Sequence, residues 1–564
     1  MVKRLLSIVC VALLVSAWPL AAQEGGKKGK KGKEAQAAAA AAAEEQDVMS
    51  AGTFSGLTLR GIGPAIASGR IGDLAVDPTD HDTWYVAVAS GGVWKTTNHG
   101  TTFTPIFDDQ GSYSIGCVTI DPNDPLTVWV GTGENNSQRS VGYGDGVYKS
   151  IDGGRTWKNV GLGDSQHVGK ILVDPRSSNV VYVAAQGPLW SPGGDRGLYK
   201  TTDGGATWTK VLEISENTGV SDVAFDPRNP DVLYASAYQR RRRQWTLIDG
   251  GPESGIHKST DGGATWTELT QGLPMVDIGR IGLAVAPTAP DTVYAIVEAA
   301  GEEGGFFRSQ DAGSSWEKRS GYVASSPQYY QEIFVDPHDA DRVYSMDVFM
   351  QVTEDGGATW KAVNTEANVS PRPFYYADLR VDPADPNRVY RLASILDVST
   401  DGGKSFSTLA GFRDAHPDHH ALWIDPRRPR RIINGNDGGV FLSDDHGATW
   451  RFVGNLPVGQ FYHVRVDMDR PYNVYGGMQD NGSARGPSTM ENGGPIPFEA
   501  WSRVGGGDGM YNVVDPTDWR WLYNESQFGV IQRMDQSTGQ SRSIRYSRPQ
   551  GEESLRWNWM SPIL

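Results

Sequence analysis

Apolar residues recur along this chain in short runs separated by turn-forming residues. Ten stretches end at a shared turn position, namely Asp77, Asp121, Asp174, Asp226, Ala286, Asp336, Asp382, Asp425, Asp467 and Asp515. The residue one before it is apolar in all ten, and the residue three before it in all but one, where Asn512 stands. A period of two marks a strand with one face in a core. Proline often follows the turn residue, as in Val173-Asp174-Pro175, and ends the strand by removing a ladder donor. A second strand carries a Val-Tyr pair (Val181-Tyr182, Val389-Tyr390). A third reads Gly-apolar-aromatic-Lys/Arg-Ser/Thr, as in Gly197 to Thr201.

After the third strand comes a motif of the form Ser/Thr-x-Asp/Asn-x-Gly-x-Thr/Ser-Trp/Phe. It occurs eight times, with its acidic or amide position at Asn98, Asp152, Asp203, Asp261, Asp311, Asp355, Asp401 and Asp445. A carboxylate there can accept backbone N–H bonds, Gly supplies positive φ, and the aromatic residue buries a large area between units. The motif predicts a hairpin leading into a fourth strand. Units of four short strands, repeated every 44 to 58 residues, predict an all-β fold: a multi-bladed β-propeller. The eight motif positions read as hairpin scaffolding, since one functional site does not need eight copies.

Composition sharpens this picture. The 69 glycines have no three-residue period, which excludes collagen and fits many tight turns. A formal net charge of −15 excludes a general nucleic-acid binder. Residues 1–22, with Lys3 and Arg4 before an apolar stretch, read as a signal peptide, and residues 23–50 as a low-complexity linker of Lys/Gly and Ala runs. Cleavage would leave no stable membrane span and one cysteine, Cys117, with no internal disulfide partner. The expected location is periplasmic or extracellular.

The eight motifs are Asp-boxes, the bacterial neuraminidase repeat. With His419-His420-Ala421-Leu422-Trp423-Ile424-Asp425-Pro426, Gly435-Asn436-Asp437-Gly438-Gly439 and Gln479-Asp480-Asn481-Gly482, the chain resembles exported bacterial propeller proteins labelled glycosyl hydrolase or sortilin N-terminal domain-containing. It is related in fold to xyloglucan-cleaving enzymes with two propellers. The resemblance implies tandem seven-bladed rings: residues 51–410 a first propeller of about seven blades, residues 411–564 the truncated start of a second. A single ten-bladed ring is the alternative. Arg556 to Leu564 reads as the opening of an eleventh blade, and Leu57 to Gly63 as a strand that completes the last one.

Strand starts lining a propeller channel are the expected binding positions. Polar residues four or seven places before the turn position include Arg70, Asp73, His167, Lys170, Asp222, Glu332, Asp378 and His463. Arg280, His419 and His420 join them as candidate ligand-binding residues. Asp418, Asp437, Asp480 and Asp508 form the candidate catalytic set, because a glycosidase needs two carboxylates in different environments. Two adjacent histidines on a strand face opposite ways, so at most one of His419 and His420 shares a site with Asp418. No second His or Cys cluster at ligand spacing supports a metal, and no cofactor is expected. The resemblance places a base aspartate in the turn Tyr85 to Gly92, where this chain has Ala89. It places an acid after Gly435, where this chain has Asn436. The preferred reading is therefore an exported propeller that binds a glycan, peptide or protein ligand. The alternative is a glycoside hydrolase with an Asp/Asp pair. Gln239 to Trp245 is a basic loop suited to an anionic partner, or a solvated insertion.

Overall fold

The computed structural model describes residues 51–54, 56–57, 60–63, 70–134, 141–325, 327, 333–345, 347, 351–362, 378–494, 496–553 and 555–563. The expected signal peptide and linker, and Glu332, lie outside them. Residues 1–61 and 62–564 form two compact units. The described part of the first contains a 3-10 turn, Ala51–Phe54.

The described residues of the second unit form ten antiparallel sheets, each with four strands in chain order, A to D. They span 71–105, 115–161, 168–212, 218–269, 278–320, 333–362, 378–410, 419–452, 461–505 and 509–543, and are sheets 1 to 10 below. Sheet 4 alone carries a fifth strand, Thr246–Asp249, paired with an extension of its 15-residue strand B, Asn229–Arg243. This is the multi-bladed β-propeller that the repeat predicts.

The seven hairpins with Asp share one bonding pattern, and at Asn98 the side-chain Nδ2 instead donates to Thr102 Oγ1 at 2.9 Å. In sheet 3, Asp203 Oδ1 accepts from Thr201 Oγ1 at 2.7 Å and from the Thr207 amide at 2.9 Å, and Oδ2 accepts from Thr207 Oγ1 at 2.7 Å. Side-chain and then backbone bonds from Thr207 pull the carboxyl down to about 2. Gly204 and Gly205, with φ of 70° and 93°, turn the chain inside this cage. The strand-C lysine has a second role. Lys95, Lys149 and Lys200 reach the next sheet's hairpin and donate to Gly153 O, Gly204 O and Gly262 O at 2.7, 2.9 and 2.5 Å. Each hairpin is thus also a clamp between neighbouring sheets.

The core is a succession of apolar clusters, one between each pair of neighbours. Tyr85, Val93 and Phe107 of sheet 1 pack on Ile115, Val118 and Val130 of sheet 2. The same relation runs sheet by sheet to the eighth, where Leu396 and Val398 of sheet 7 meet Leu422 and Ile432. Sheet 8 then turns back to sheet 1: Ile433, Val440 and Leu442 pack on Ile71, Trp84 and Trp94. His81 Nδ1 donates to Asp425 Oδ1 at 2.9 Å, and Arg431 pairs with Asp82 at 3.1 Å across this junction.

The circuit therefore closes at the eighth sheet. This departs from the expected break at residue 410 after about seven blades, and from a single ten-bladed ring. The cause is packing: the free face of sheet 1 is apolar, and sheet 8 covers it. Sheets 9 and 10 pack on each other through Tyr475, Val504 and Leu522. Ile62 packs on sheet 9, where its carbonyl accepts from Trp501 Nε1 at 3.0 Å. Ile62 belongs to the expected blade-completing segment, whose Thr58 and Leu59 lie outside the described residues.

Candidate functional site

The strongest convergence of titratable groups joins sheet 8 to sheet 9. Asp418 immediately precedes strand A of sheet 8, His419–Ile424. Asp437 sits in the two-residue turn between strands B and C of that sheet, where Asn436 pairs with Gly439. The Asp437 amide donates to Asp418 O at 3.1 Å, which fixes the two segments together. Asp480 occupies the matching B–C turn of sheet 9, between Met478 and Gly482. Asn481 Nδ2 spans the gap, donating to Asp437 O at 2.9 Å and to Gln479 O at 2.8 Å.

One carboxylate oxygen from each of Asp418, Asp437 and Asp480 lies within 4.8 Å of the others. Asp418 and Asp437 are buried. Asp418 and Asp480 also hold φ of 66° and 58°, a left-handed backbone that costs energy in a residue with a Cβ, though Asp tolerates it better than most. Asp508, at the start of strand A of sheet 10, is buried beside them; Tyr462 Oη donates to its Oδ2 at 3.4 Å.

Three negative charges cannot share so small a volume. Burial, then the charges of Asp437 and Asp508, a hydrogen bond with Asp437 and the charge of Asp418 push the Asp480 carboxyl well above the ordinary carboxylate range. Burial and these neighbours thus favour the protonated form of Asp480. Two basic side chains face Asp437: His420 Nε2 is 2.8 Å from its Oδ1, and Arg70 Nε is 3.7 Å away. Arg70 also pairs with buried Glu134, and Glu134 O lies 2.8 Å from His167 Nδ1. The trio is also the one described set of His, Cys, Asp and Glu atoms close enough to surround a cation, and its oxygens are of the type calcium or magnesium takes. A proton and a cation would compete for that place.

The adjacent histidines separate as strand alternation demands. His420 faces Asp437, whereas His419 turns to Asn434 Oδ1 at 2.7 Å, and burial lowers its ring to about 4. Burial lowers His167 likewise to about 4. The remaining candidates lie around the inner strands. Asp73 accepts from the Leu74 and Val118 amides, and burial pushes it up to about 6. Lys170 pairs with Asp222 at 2.8 Å, and Asp378 with Arg380. The Arg280 amide donates to Glu298 Oε2 at 3.0 Å. His463 stacks on Tyr511 with ring centroids 4.3 Å apart.

The structure thus joins Asp418, Asp437, Asp480 and Asp508 with His420 and Arg70, and leaves the other candidates dispersed. Glu134 and Asn481 escape a reading of strand starts because both come from B–C connections. The acid-amide run Glu134-Asn135-Asn136, in an unusually long connection, is the sequence signal that marks the first.

Fold and cluster together define a many-bladed Asp-box propeller with carboxyl groups gathered at its B–C turns. The Sortilin-Vps10 family model (sortilin, neurotensin receptor 3) matches residues 145–299. A xyloglucanase of a Paenibacillus species is 24% identical over 353 residues, covering 56% of this chain and 33% of that protein. A xyloglucanase of Acetivibrio thermocellus is 28% identical over 226 residues, covering 35% and 25%. The chain spans a third or less of the length of these two relatives. Among solved structures, an ancestral GH74 enzyme aligns over 86% of this chain and 78% of its own, with 16% identity and a TM-score of 0.43. The GH74 enzyme of Niastella koreensis aligns over 84% and 76%, with 18% identity and a TM-score of 0.32.

Proposed function

We propose that this protein is an exported glycoside hydrolase acting on a polysaccharide, xyloglucan being the substrate class that the curated relatives suggest. The observation that carries the reading is the convergence of Asp418, Asp437 and Asp480, whose oxygens lie within 4.8 Å of one another; burial and these neighbours raise the Asp480 carboxyl, as a general acid requires. In this reading Asp480 protonates the glycosidic oxygen. Asp437, held by His420 and Arg70, accepts the Asp480 hydrogen bond in the resting site and retains the proton there.

Asp437 cannot itself be the opposing carboxylate. Two carboxyl groups in hydrogen-bond contact are closer than the roughly 5 to 9.5 Å that either glycosidase geometry needs. Asp508 acts on Asp480 through its charge, and we assign it the opposing role. Asp418 completes the field that holds the proton.

Reducing-end release from a polysaccharide panel headed by xyloglucan tests this. Asp480→Asn is expected to lower turnover of the polysaccharide by about a hundredfold or more, the scale of general acid catalysis. The loss should shrink on aryl glycosides whose leaving group needs no proton. Full activity in Asp480→Asn and Asp508→Asn would overturn the assignment. Xyloglucan binding by wild type without any hydrolysis would leave a binding scaffold, which Ala89, a carboxylate-free turn in sheet 1, favours.

A further inference from the structure

We infer that the fifth strand of sheet 4 and its partner form a docking arm for an acidic, carboxylate-bearing polysaccharide. Strand B of this sheet runs on past the blade to Arg243, turns at Gln244 and Trp245, and returns as Thr246–Asp249. Arg240 pairs with Asp249, Arg241 with Ile248, Arg242 with Leu247 and Arg243 with Thr246. Alternation puts Arg240 and Arg242 on one face and Arg241 and Arg243 on the other. Four arginines thus share a hairpin with one carboxylate, Asp249, and the Tyr238 hydroxyl already bonds to it. The whole chain carries −15, so the concentration of positive charge is local.

The guanidinium groups crowd one another. Burial first, with Arg280 and Arg242 also contributing, pushes Arg240 down to about 10. Burial, then Arg240 and Arg241, does the same to Arg196. Arg241 Nη2 donates to Asn217 Oδ1 at 2.7 Å, and the Arg242 amide to Leu189 O at 2.9 Å, so the arm is anchored to its surroundings.

Aromatic surface favours a glycan over other polyanions. Trp245 at the tip is 77% exposed, with Arg243 6.0 Å from its ring centre. Trp190, next to Leu189, is 54% exposed. Flat indole faces suit the C–H face of a pyranose, and planar guanidinium forks suit a uronate carboxylate. The arm lies in a B–C connection, as do Asp437 and Asp480, but on sheet 4, three sheets or more around the circuit from sheet 8. It is independent of the proposed hydrolysis.

Polygalacturonate, with neutral xyloglucan and phosphatidylserine vesicles as comparison probes, tests the arm in the full chain. Affinity electrophoresis should show retardation by polygalacturonate that weakens as salt rises. Arg243→Ser combined with Trp245→Ala should weaken it about tenfold or more, with Trp190→Ala intermediate and melting temperatures unchanged. Xyloglucan hydrolysis or binding should be unaltered by these substitutions. No retardation of wild type, retardation untouched by the variants, or stronger binding to the vesicles than to polygalacturonate would each overturn the proposal.

Discussion

Closure at the eighth sheet makes a pair of residues 344 positions apart energetically coupled. His81, in the A–B connection of sheet 1, donates from Nδ1 to Asp425 Oδ1 of sheet 8 at 2.9 Å, with both side chains buried. The same imidazole meets the Trp423 ring edge-on, with centroids 5.2 Å apart. A buried hydrogen bond to a charged group is worth about 1.5–3 kcal/mol, and an edge-on ring contact about 0.5–1.5 kcal/mol. His81→Ala alone removes both and also leaves a buried carboxylate short of a donor, so about 3 kcal/mol or more is expected. Asp425→Ala costs additionally the bonds its Oδ1 takes from the Arg427 and Arg428 amides at 2.8 and 3.1 Å. A double-mutant cycle cancels these private terms and leaves the cross-junction pair, about 1.5–3 kcal/mol. Proteolysis in graded urea, read as the fraction folded for wild type, both single variants and the double variant, gives the four free energies. A coupling below about 0.5 kcal/mol, the additivity expected of sites that do not touch, would refute closure between these two sheets.

Asp73 gives a pH signature with a definite sign. Its folded value, about 6, lies above the ordinary 3.8, so the native state holds the proton more tightly than the unfolded chain. Stability from this group is full below pH 3.8 and is lost as pH rises through 6; at 1.36 kcal/mol per pH unit the loss is about 3 kcal/mol. Denaturant midpoints of wild type and Asp73→Asn measured from pH 4 to 7 should therefore diverge by that amount, the wild type falling, and parallel curves would remove Asp73 as the cause. For the carboxyl trio, a proton at Asp480 predicts that chelation with EDTA leaves the melting temperature unchanged. A drop restored by calcium or magnesium would mean that a cation fills the space between Asp418, Asp437 and Asp480.

What could be read from the chain alone follows from the range of the forces involved. The Asp-box hairpin is local: Asp203 reaches only from Thr201 to Thr207, and every partner is fixed by the motif itself. Repeated units of that kind declare a propeller. Ring size has no such local code. It depends on which sheet covers the free face of sheet 1, and Ile433, Val440 and Leu442 do so without any residue type that sets sheet 8 apart from sheet 7.

The acidic cluster stands between these cases. His416 to His420, Asp437 and Asp480 stand out because they break the repeat, and a repeat that needs only a turn has no use for a carboxylate packed against two others. Their roles depend on distances that no spacing supplies. His420 lies 2.8 Å from Asp437, the approach of Asp437 raises the Asp480 carboxyl, and Asn481 ties the two turns together. A propeller positions such groups cheaply. Each B–C turn ends on a four-stranded sheet, so the carboxylates of sheets 8 and 9 are carried on regular scaffolds, and Asn481 bridges the two turns. Removing one charge, as in Asp437→Asn, should on this reasoning lower the Asp480 carboxyl, since the Asp437 charge is lost while burial and the charges of Asp508 and Asp418 stay.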